Sequence, residues 1–529
     1  MKRLGIIIAA LTLCGSVAFS QGMLEAYCFG QTDLHGTARY MSMGGAFGAL
    51  GGDISVMSKN PAGLAVYRTS EVVTTMNLTL TNANTNWLGV STDKSKTQLS
   101  FDNIAYVGYY PTGNDVGVIG WNAGFAYNRL KNFHRHYNMS AKGGLTSSLS
   151  DYVAARAYGF HKDELWATET YNPYGRDGMD WLSALGYNAG YMDAYSDDPQ
   201  AYYSTFGFEE NGNWNAYDLN DAILDVRETG SIDKYDFSFG MNISDIVLLG
   251  ATLSVTDINY EMSSTYDEHF QYDNYLYLDN GLTTDGSGYS VNLGVIVRPV
   301  DFLRLGVAYN SPTWYKMTDR YYGEAGTSLE LAGGKYSDWD AQTPDASYTN
   351  YEFQSPDKYI FSIAGIIGQS ALISLDYEMT NYENMKMYDS IGEETPYYRS
   401  ANAGIKDNFT MGTSIRLGAE VRVTPQFSVR AGGSFTNSPV RSNLKGGNME
   451  VITVGTIPHY TVDKGYSTYS VGLGYRFNPQ FYTDLACVLT QQKEDVYAFS
   501  GIPDMDIDFQ PATLKTNRTR VALTFGYKF

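Results

Sequence analysis

Chemistry in this chain would have to come from few places. Its histidines stand at 35, 134, 136, 161, 269 and 459, and only His134 and His136 lie close together, either side of Arg135. That pair could ligate a metal or a heme iron, but no carboxylate or third ligand stands beside it, so a solvated loop is the plainer reading. No Gly-rich phosphate loop and no His-Glu-x-x-His occurs, and no Gly-x-Ser-x-Gly elbow stands out. A lipase at a membrane rim would want a Ser and a His on a lipid-facing strand, and no histidine falls in an expected strand body. Asp193, Asp197 and Asp198 crowd one stretch without Asp-x-Asp-x-Asp spacing, so divalent-ion bridging to lipopolysaccharide is the most they suggest. The remaining polar chemistry is ionic. Arg304, Arg416, Glu420, Arg422, Arg430, Arg476, Arg518 and Arg520, with Asp376, Glu378 and Asp484, fall at positions that alternate with apolar residues. Charges in that rhythm read as a pore-filling ion-pair network, in which one Arg fork could also meet a carboxylate ligand. No enzyme, metal or cofactor is expected.

The elements that must carry these charges are strands. From Asn517 onward, Val521, Leu523, Phe525, Tyr527 and Phe529 share one parity, while Arg518, Arg520, Thr524 and Lys528 share the other. The same period of two recurs in Leu417 to Val423, Ile373 to Tyr377, and Tyr469 to Phe477. The charged parity is too hydrophilic for a sandwich core and suits a wet barrel interior with lipid outside. Fourteen such segments begin near residues 71, 98, 115, 234, 246, 286, 301, 355, 370, 407, 425, 464, 480 and 517. Six tight turns, such as Pro111-Thr-Gly-Asn114 and Asn242-Ile-Ser-Asp245, alternate with long loops near 82–97, 130–233, 262–285, 318–354, 384–406, 438–463 and 494–516. The expected fold is therefore all-β: a transmembrane antiparallel up-and-down barrel of 14 strands, closed so that no edge meets lipid.

Composition agrees. A net charge of −20 argues against nucleic-acid binding, and 3 Cys argue against a disulfide scaffold. A mean hydropathy of −0.28 excludes a helical membrane protein but not a barrel, in which only alternate residues face lipid. Residues 1–20 read as a signal peptide: Lys2 and Arg3, an apolar run from Leu4 to Leu13, then Ala18-Phe19-Ser20 ahead of a cleavage that leaves Gln21. A lipidated Cys14 is the rival reading, disfavoured by bulky Leu13. Cys28 and Cys487 then remain, on segments too differently placed to bridge.

Residues 21–70 do not alternate. Glycine at 44, 45, 48, 51 and 52 and the run Asn60-Pro61-Ala62-Gly63 make them too small for a core and too apolar for a tail. A plug in the lumen is the natural solution, and a periplasmic linker is the bland one. Signal segment, Gly/Ala-rich plug, Asn60-Pro61-Ala62-Gly63 before the first strand, fourteen strands and terminal Phe529 together resemble the FadL/TodX family. That family consists of outer-membrane transporters of long-chain fatty acids and other hydrophobic compounds.

The resemblance implies a hatch over 21–70, with Asn60, Pro61, Ala62 and Gly63 in its signature. It implies a kinked third strand through which ligand leaves sideways into the outer leaflet; Gly117, Gly120, Asn122 and Gly124 are the candidates there. Other inward glycines (Gly240, Gly250, Gly294, Gly306, Gly432) make an ordinary lumen glycine equally good for any one of them. The largest loop here is the second, 130–233, which departs from the family. Its Leu219, Ala222, Ile223 and Val226 share a helical face, and Asp180 to Leu185 reads as a short helix. Tyr152, Phe160, Trp166, Trp181 and Leu185 could make a greasy capture surface for an amphiphile, or a cap packed on itself. The expected protein is a monomer in the outer membrane of a Gram-negative cell, inserted by the barrel-assembly machinery through Phe529. It meets outer-membrane lipid and a fatty acid-like hydrophobic ligand and binds no nucleic acid. Alternatives are a FadL-like platform for a protein partner or for secretion, and heme uptake.

Overall fold

The structure is a computed structural model that describes residues 22–529 apart from 211–212, 332–334, 346, 369 and 448. The expected signal segment and Gln369 lie outside the described residues. The wall has fourteen strands. In chain order they are β1 Glu71–Trp87, β2 Val90–Pro111, β3 Val118–Asn132, β4 Leu219–Ile243, β5 Val247–Phe270, β6 Tyr275–Val300 and β7 Leu303–Asn310. Then come β8 Lys358–Ile367, β9 Ala371–Asn381, β10 Met411–Arg422, β11 Phe427–Thr436, β12 Tyr460–Arg476, β13 Phe481–Tyr497 and β14 Ala512–Lys528. Each pairs antiparallel with its neighbour, and β14 returns to β1 from Lys528↔Glu71 to Thr513↔Asn86. The sheet has no open edge for lipid to meet.

Parity does what alternation requires. On β1, Val72, Met76, Leu78 and Leu80 face out, while Val73, Thr75, Asn77 and Thr79 are buried inside. Two aromatic girdles bound the outward apolar belt. Near the short turns Tyr110 stacks on Trp121 at 4.2 Å. Toward the long loops lie Tyr127 with Tyr235 at 5.6 Å, Tyr289 with Trp314 at 5.5 Å and Tyr309 with Tyr359 at 5.2 Å.

Three expectations need correction. The region 82–97 is no loop: β1 and β2 continue to a tight turn at Leu88 and Gly89, both with positive φ. The regions 262–285 and 318–354 are also mostly strand. Beyond the upper girdle the outward face turns polar (Asp257, Asn259 and Glu261 on β5), so the apolar–polar contrast fades while the ladder goes on. His269 consequently lies on an outward strand position, as does His136 within the added strand Arg135–Lys142. Finally, Leu219 to Val226 begin β4 and are not a helix. Ala222, Leu224 and Val226 are buried on one parity, and of the expected helical face only Ala222 and Val226 share it, Leu219 and Ile223 lying on the other. The helix expected at 180–185 does form, as Trp181–Asn188, with the Asp180 carboxylate accepting the Ser183 N–H at 2.9 Å.

Candidate functional site

Residues 22–67 run through the lumen as two helices, α1 Met23–Gly30 and α2 Ala38–Ser42, and two 3-10 turns, Ile54–Ser58 and Pro61–Val66. The Asn60–Gly63 run owes its position to local capping. The Asn60 Oδ1 accepts the Ala62 N–H at 3.2 Å, its Nδ2 donates to the Gly48 carbonyl at 2.6 Å, and Pro61 opens the turn where no N–H is needed. The wall makes room by omitting side chains: a Cβ on Gly294 would stand 1.9 Å from Asn60 Oδ1, and one on Gly250 2.2 Å from the Pro61 carbonyl carbon. Gly432 meets Met43 in the same way, at 2.2 Å. Lumen glycines that the pattern left unexplained are thus seats for this segment's backbone.

Charge holds the rest. Arg430 bridges Glu420 at 2.6 Å and Asp484 at 2.5 Å, and Arg39 of α2 joins Glu420 at 2.8 Å. Lys59 and Arg416 share Glu378, at 3.0 and 3.1 Å. Asp376 accepts the N–H groups of Phe47 and Gly48 at 3.0 and 2.9 Å. Asp33 meets Arg520 at 2.7 Å and Arg518 at 3.7 Å. Burial alone would raise the Asp33 carboxyl, but the two guanidinium groups hold it well below the usual range. The ion-pair network read from the sequence therefore forms in part: Arg304 donates instead to the Leu50 carbonyl, Asp376 holds backbone N–H groups, and Arg422 and Arg476 are exposed at the short-turn rim.

Two chambers adjoin residues Phe29 to Asp33. The upper one, about 180 Å³, lies over α1 between Phe29, Phe133, Tyr260, Leu282, Ile457 and His459. The rings of Phe133 and Tyr260 meet at 4.8 Å, and burial lowers the His459 pKa to about 4. The lower chamber, about 130 Å³, is polar and contains Lys59, Lys234, Lys358, Arg416 and Glu378. Residues Phe29 to Asp33 divide the two.

The third strand corrects the expected opening. Its ladders to β2 and β4 are continuous over Gly120 to Asn128, so the wall is shut there. Gly117 lies in the preceding turn with φ +79. Gly120 makes room for the Tyr109 ring, Gly124 for Met57, and Asn122 donates to the Tyr67 carbonyl at 3.4 Å. The interruption lies farther along. The β2–β3 ladder stops at Asn103↔Asn128, leaving residues 90–102 of β2 paired with β1 alone. At that level β3 bulges between Arg129 and Lys131. The freed Leu130 carbonyl accepts the Asp33 N–H at 2.8 Å, while Lys131 Nζ donates to the Cys28 carbonyl at 2.5 Å. Side chains bridge the resulting seam. Asn132 donates to Gln98 at 3.0 Å, and Thr85 donates to the Asn138 carbonyl at 2.6 Å. Both chambers abut this seam, through residues 128–133. Sequence reasoning missed it because its parts come from separated strands.

The expected capture residues do not share one open surface. Tyr152, Trp181 and Leu185 are buried in the cap that residues 143–218 build, Phe160 is half-buried, and Trp166 is 42% exposed. His134 and His136 each bond to protein groups, His136 to Asp225 at 2.9 Å. No cluster of three metal-ligating side chains occurs among the described residues. Cys28 and Cys487 are free.

A closed, lumen-filled barrel whose cavities end at a gap in its own ladder belongs to the membrane conduits. Residues 234–529, more than half of the chain, match the family model described as outer membrane protein transport protein (OMPP1/FadL/TodX). The chain belongs to that family of outer-membrane transport β-barrels. No curated protein matches it. Among solved structures it is similar to a Pseudomonas aeruginosa FadL homologue, with 12% identity, a TM-score of 0.51, and 94% of this chain and 100% of that one covered. The Ralstonia pickettii toluene transporter TbuX aligns over 94% of this chain and 99% of its own, at 12% identity and a TM-score of 0.46.

Proposed function

We propose that the protein carries long-chain fatty acids or similar hydrophobic molecules across a Gram-negative outer membrane by diffusion. Residues 22–67 act as its hatch, and the ligand leaves sideways at the β2–β3 seam. The observation that carries this reading is the placement of both chambers directly behind the seam. The upper chamber sets the rings of Phe29, Phe133 and Tyr260 beside Arg135, Arg518 and Arg520, which suits an apolar body with an acidic head, and the lower chamber adds Lys59, Lys234 and Lys358. The opposite way out is unfavourable for such a ligand. A cavity of about 230 Å³ at the short-turn end is lined by Arg39, Asp53, Glu71, Glu420, Arg430 and Asp484, among others. Insertion through Phe529 and a monomeric state belong to the same reading.

Uptake of a labelled long-chain fatty acid into liposomes or cells, with and without residues 22–65, tests it. Faster or ungated uptake without the segment is expected. Uptake that ignores the barrel altogether, alongside loss of other proteins from the cell surface on its deletion, would instead make the barrel a protein platform.

A further inference from the structure

A ring of three side chains spans the seam, beside the Thr85 and Thr92 hydroxyls that donate to the Asn138 carbonyl. His134 donates from Nδ1 to Asn132 Oδ1 at 2.9 Å, Asn132 Nδ2 donates to Gln98 Oε1 at 3.0 Å, and Gln98 Nε2 donates back to His134 Nε2 at 3.1 Å. The Asn132 amide cannot turn over, because the backbone N–H of His134 also donates to its oxygen, at 3.0 Å. Every position in the ring is therefore assigned, and it closes only with neutral imidazole bearing its proton on Nδ1. Protonation would set an N–H on Nε2 against the Gln98 amide N–H groups, and no amide rotation removes the conflict.

We propose that Gln98, Asn132 and His134 form a proton-operated latch, which holds β2 to β3 at neutral pH and releases the seam when His134 gains a proton. This inference deepens the sideways-exit reading and rests on it. The groups that bear on His134 from the packed elements favour the neutral form. Burial comes first, then Lys96 from β2 and Arg129 from β3, against a weak opposing bond from the Gly230 backbone of β4. Arg129 is itself engaged by Asp233 of β4, at 3.1 Å. The folded-state pKa of His134 is thus lowered. The stability of the closed seam is complete above the ordinary histidine range near about 6.5 and is lost as pH falls through the lowered value.

Spin labels at Ser95 and Asn138, in full-length protein with Cys28→Ser and Cys487→Ser, would report the distance across the seam by double electron–electron resonance. A second, longer distance is expected to grow on going from pH 7.5 to pH 5, by up to about tenfold per unit between the ordinary histidine value and the lowered one. His134→Gln should remove the pH response, and His134→Lys should show the longer distance at both pH values. Gln98→Glu offers the imidazolium a carboxylate and should keep the seam shut in acid. A wild-type distance that does not change with pH, or a pH response that survives His134→Gln, would overturn the latch. Because no ligand is involved, a seam that opens in acid without any change in fatty-acid uptake would count against the exit reading and leave the latch standing.

Discussion

On the short-turn side the lumen is held by charge, bare glycine and small aliphatic side chains, whereas on the long-loop side rings predominate around the buried Arg135–Glu228 and Arg135–Glu494 pairs. Below, α2 and the Asn60–Gly63 turn touch a wall of Arg430, Glu420, Asp484, Gly250 and Gly294, with Met41, Met43, Leu50 and Val56 packed on the small wall side chains Ala364, Ala486, Val488 and Ala522. Above, Tyr152 stacks on Phe499 at 5.2 Å, Phe499 meets Phe509 at 4.6 Å, and Trp181 meets Tyr321 edge-on at 5.1 Å. The difference follows from what each side needs. Charge pairs with fixed geometry hold residues 22–67 in one register, since losing a partner strands a buried charge. Aromatic packing instead gains by area and by offset or edge-on contact, so it fills a wide mouth without placing a charge out of water.

The largest effect should come from breaking the charged side. Arg430→Met leaves Asp484 without the guanidinium it meets at 2.5 Å, and the barrel should lose about 3–5 kcal/mol in urea unfolding from micelles. Adding Asp484→Asn and Glu420→Gln should recover part of that loss. A denaturation midpoint unmoved by Arg430→Met would mean that the network is decoration. Next in size is the glycine seat. Gly294→Ala places a methyl group against Asn60, and overpacking of that kind should cost about 1–3 kcal/mol. Protease access to the 60–66 turn should rise in parallel. The same change at Gly113, where no atom lies within 4 Å of a Cβ, would leave that turn protected.

This contrast also marks how far the sequence was legible. Between the girdles lipid and lumen impose opposite chemistries on successive residues, so strands such as Leu417 to Val423 announce themselves, as does the inward placement of Arg430 and Arg520. Outside the girdles water bathes the outer face, and Asp257 to His269 of β5 keep their ladder without the contrast that would reveal it. At Leu219 to Val226 that weakness let a helical spacing prevail. The seam was illegible for a different reason. Gln98, Asn132 and His134 mean nothing by type or spacing until the β2–β3 ladder is seen to stop at Asn103, and the glycines of β3 lie where the ladder is continuous.

On the ring-packed side single losses should be smaller and local. Ser148 caps the helix Leu149–Ala157 by accepting the Asp151 N–H at 3.1 Å, so Ser148→Ala should cost about 1 kcal/mol. Faster amide exchange in residues 149–152 is expected, with the barrel's unfolding midpoint unchanged.

The smallest effect should be at Trp166. Its ring is 42% exposed and meets Tyr187 edge-on at 6.0 Å, and its backbone N–H donates to the Lys162 carbonyl whatever the side chain. Trp166→Ala should therefore change stability by no more than about 0.5 kcal/mol. Its bearing on uptake is the sharper result. Tyr152, Trp181 and Leu185 are committed to the cap's interior and Phe160 is half-buried, so Trp166 is the most exposed residue of the expected capture set. A self-packed cap predicts fatty-acid uptake equal to wild type. A marked fall in uptake at unchanged stability would make the cap's outer surface the first contact for the ligand, and the ring-packed half would then begin outside the lumen.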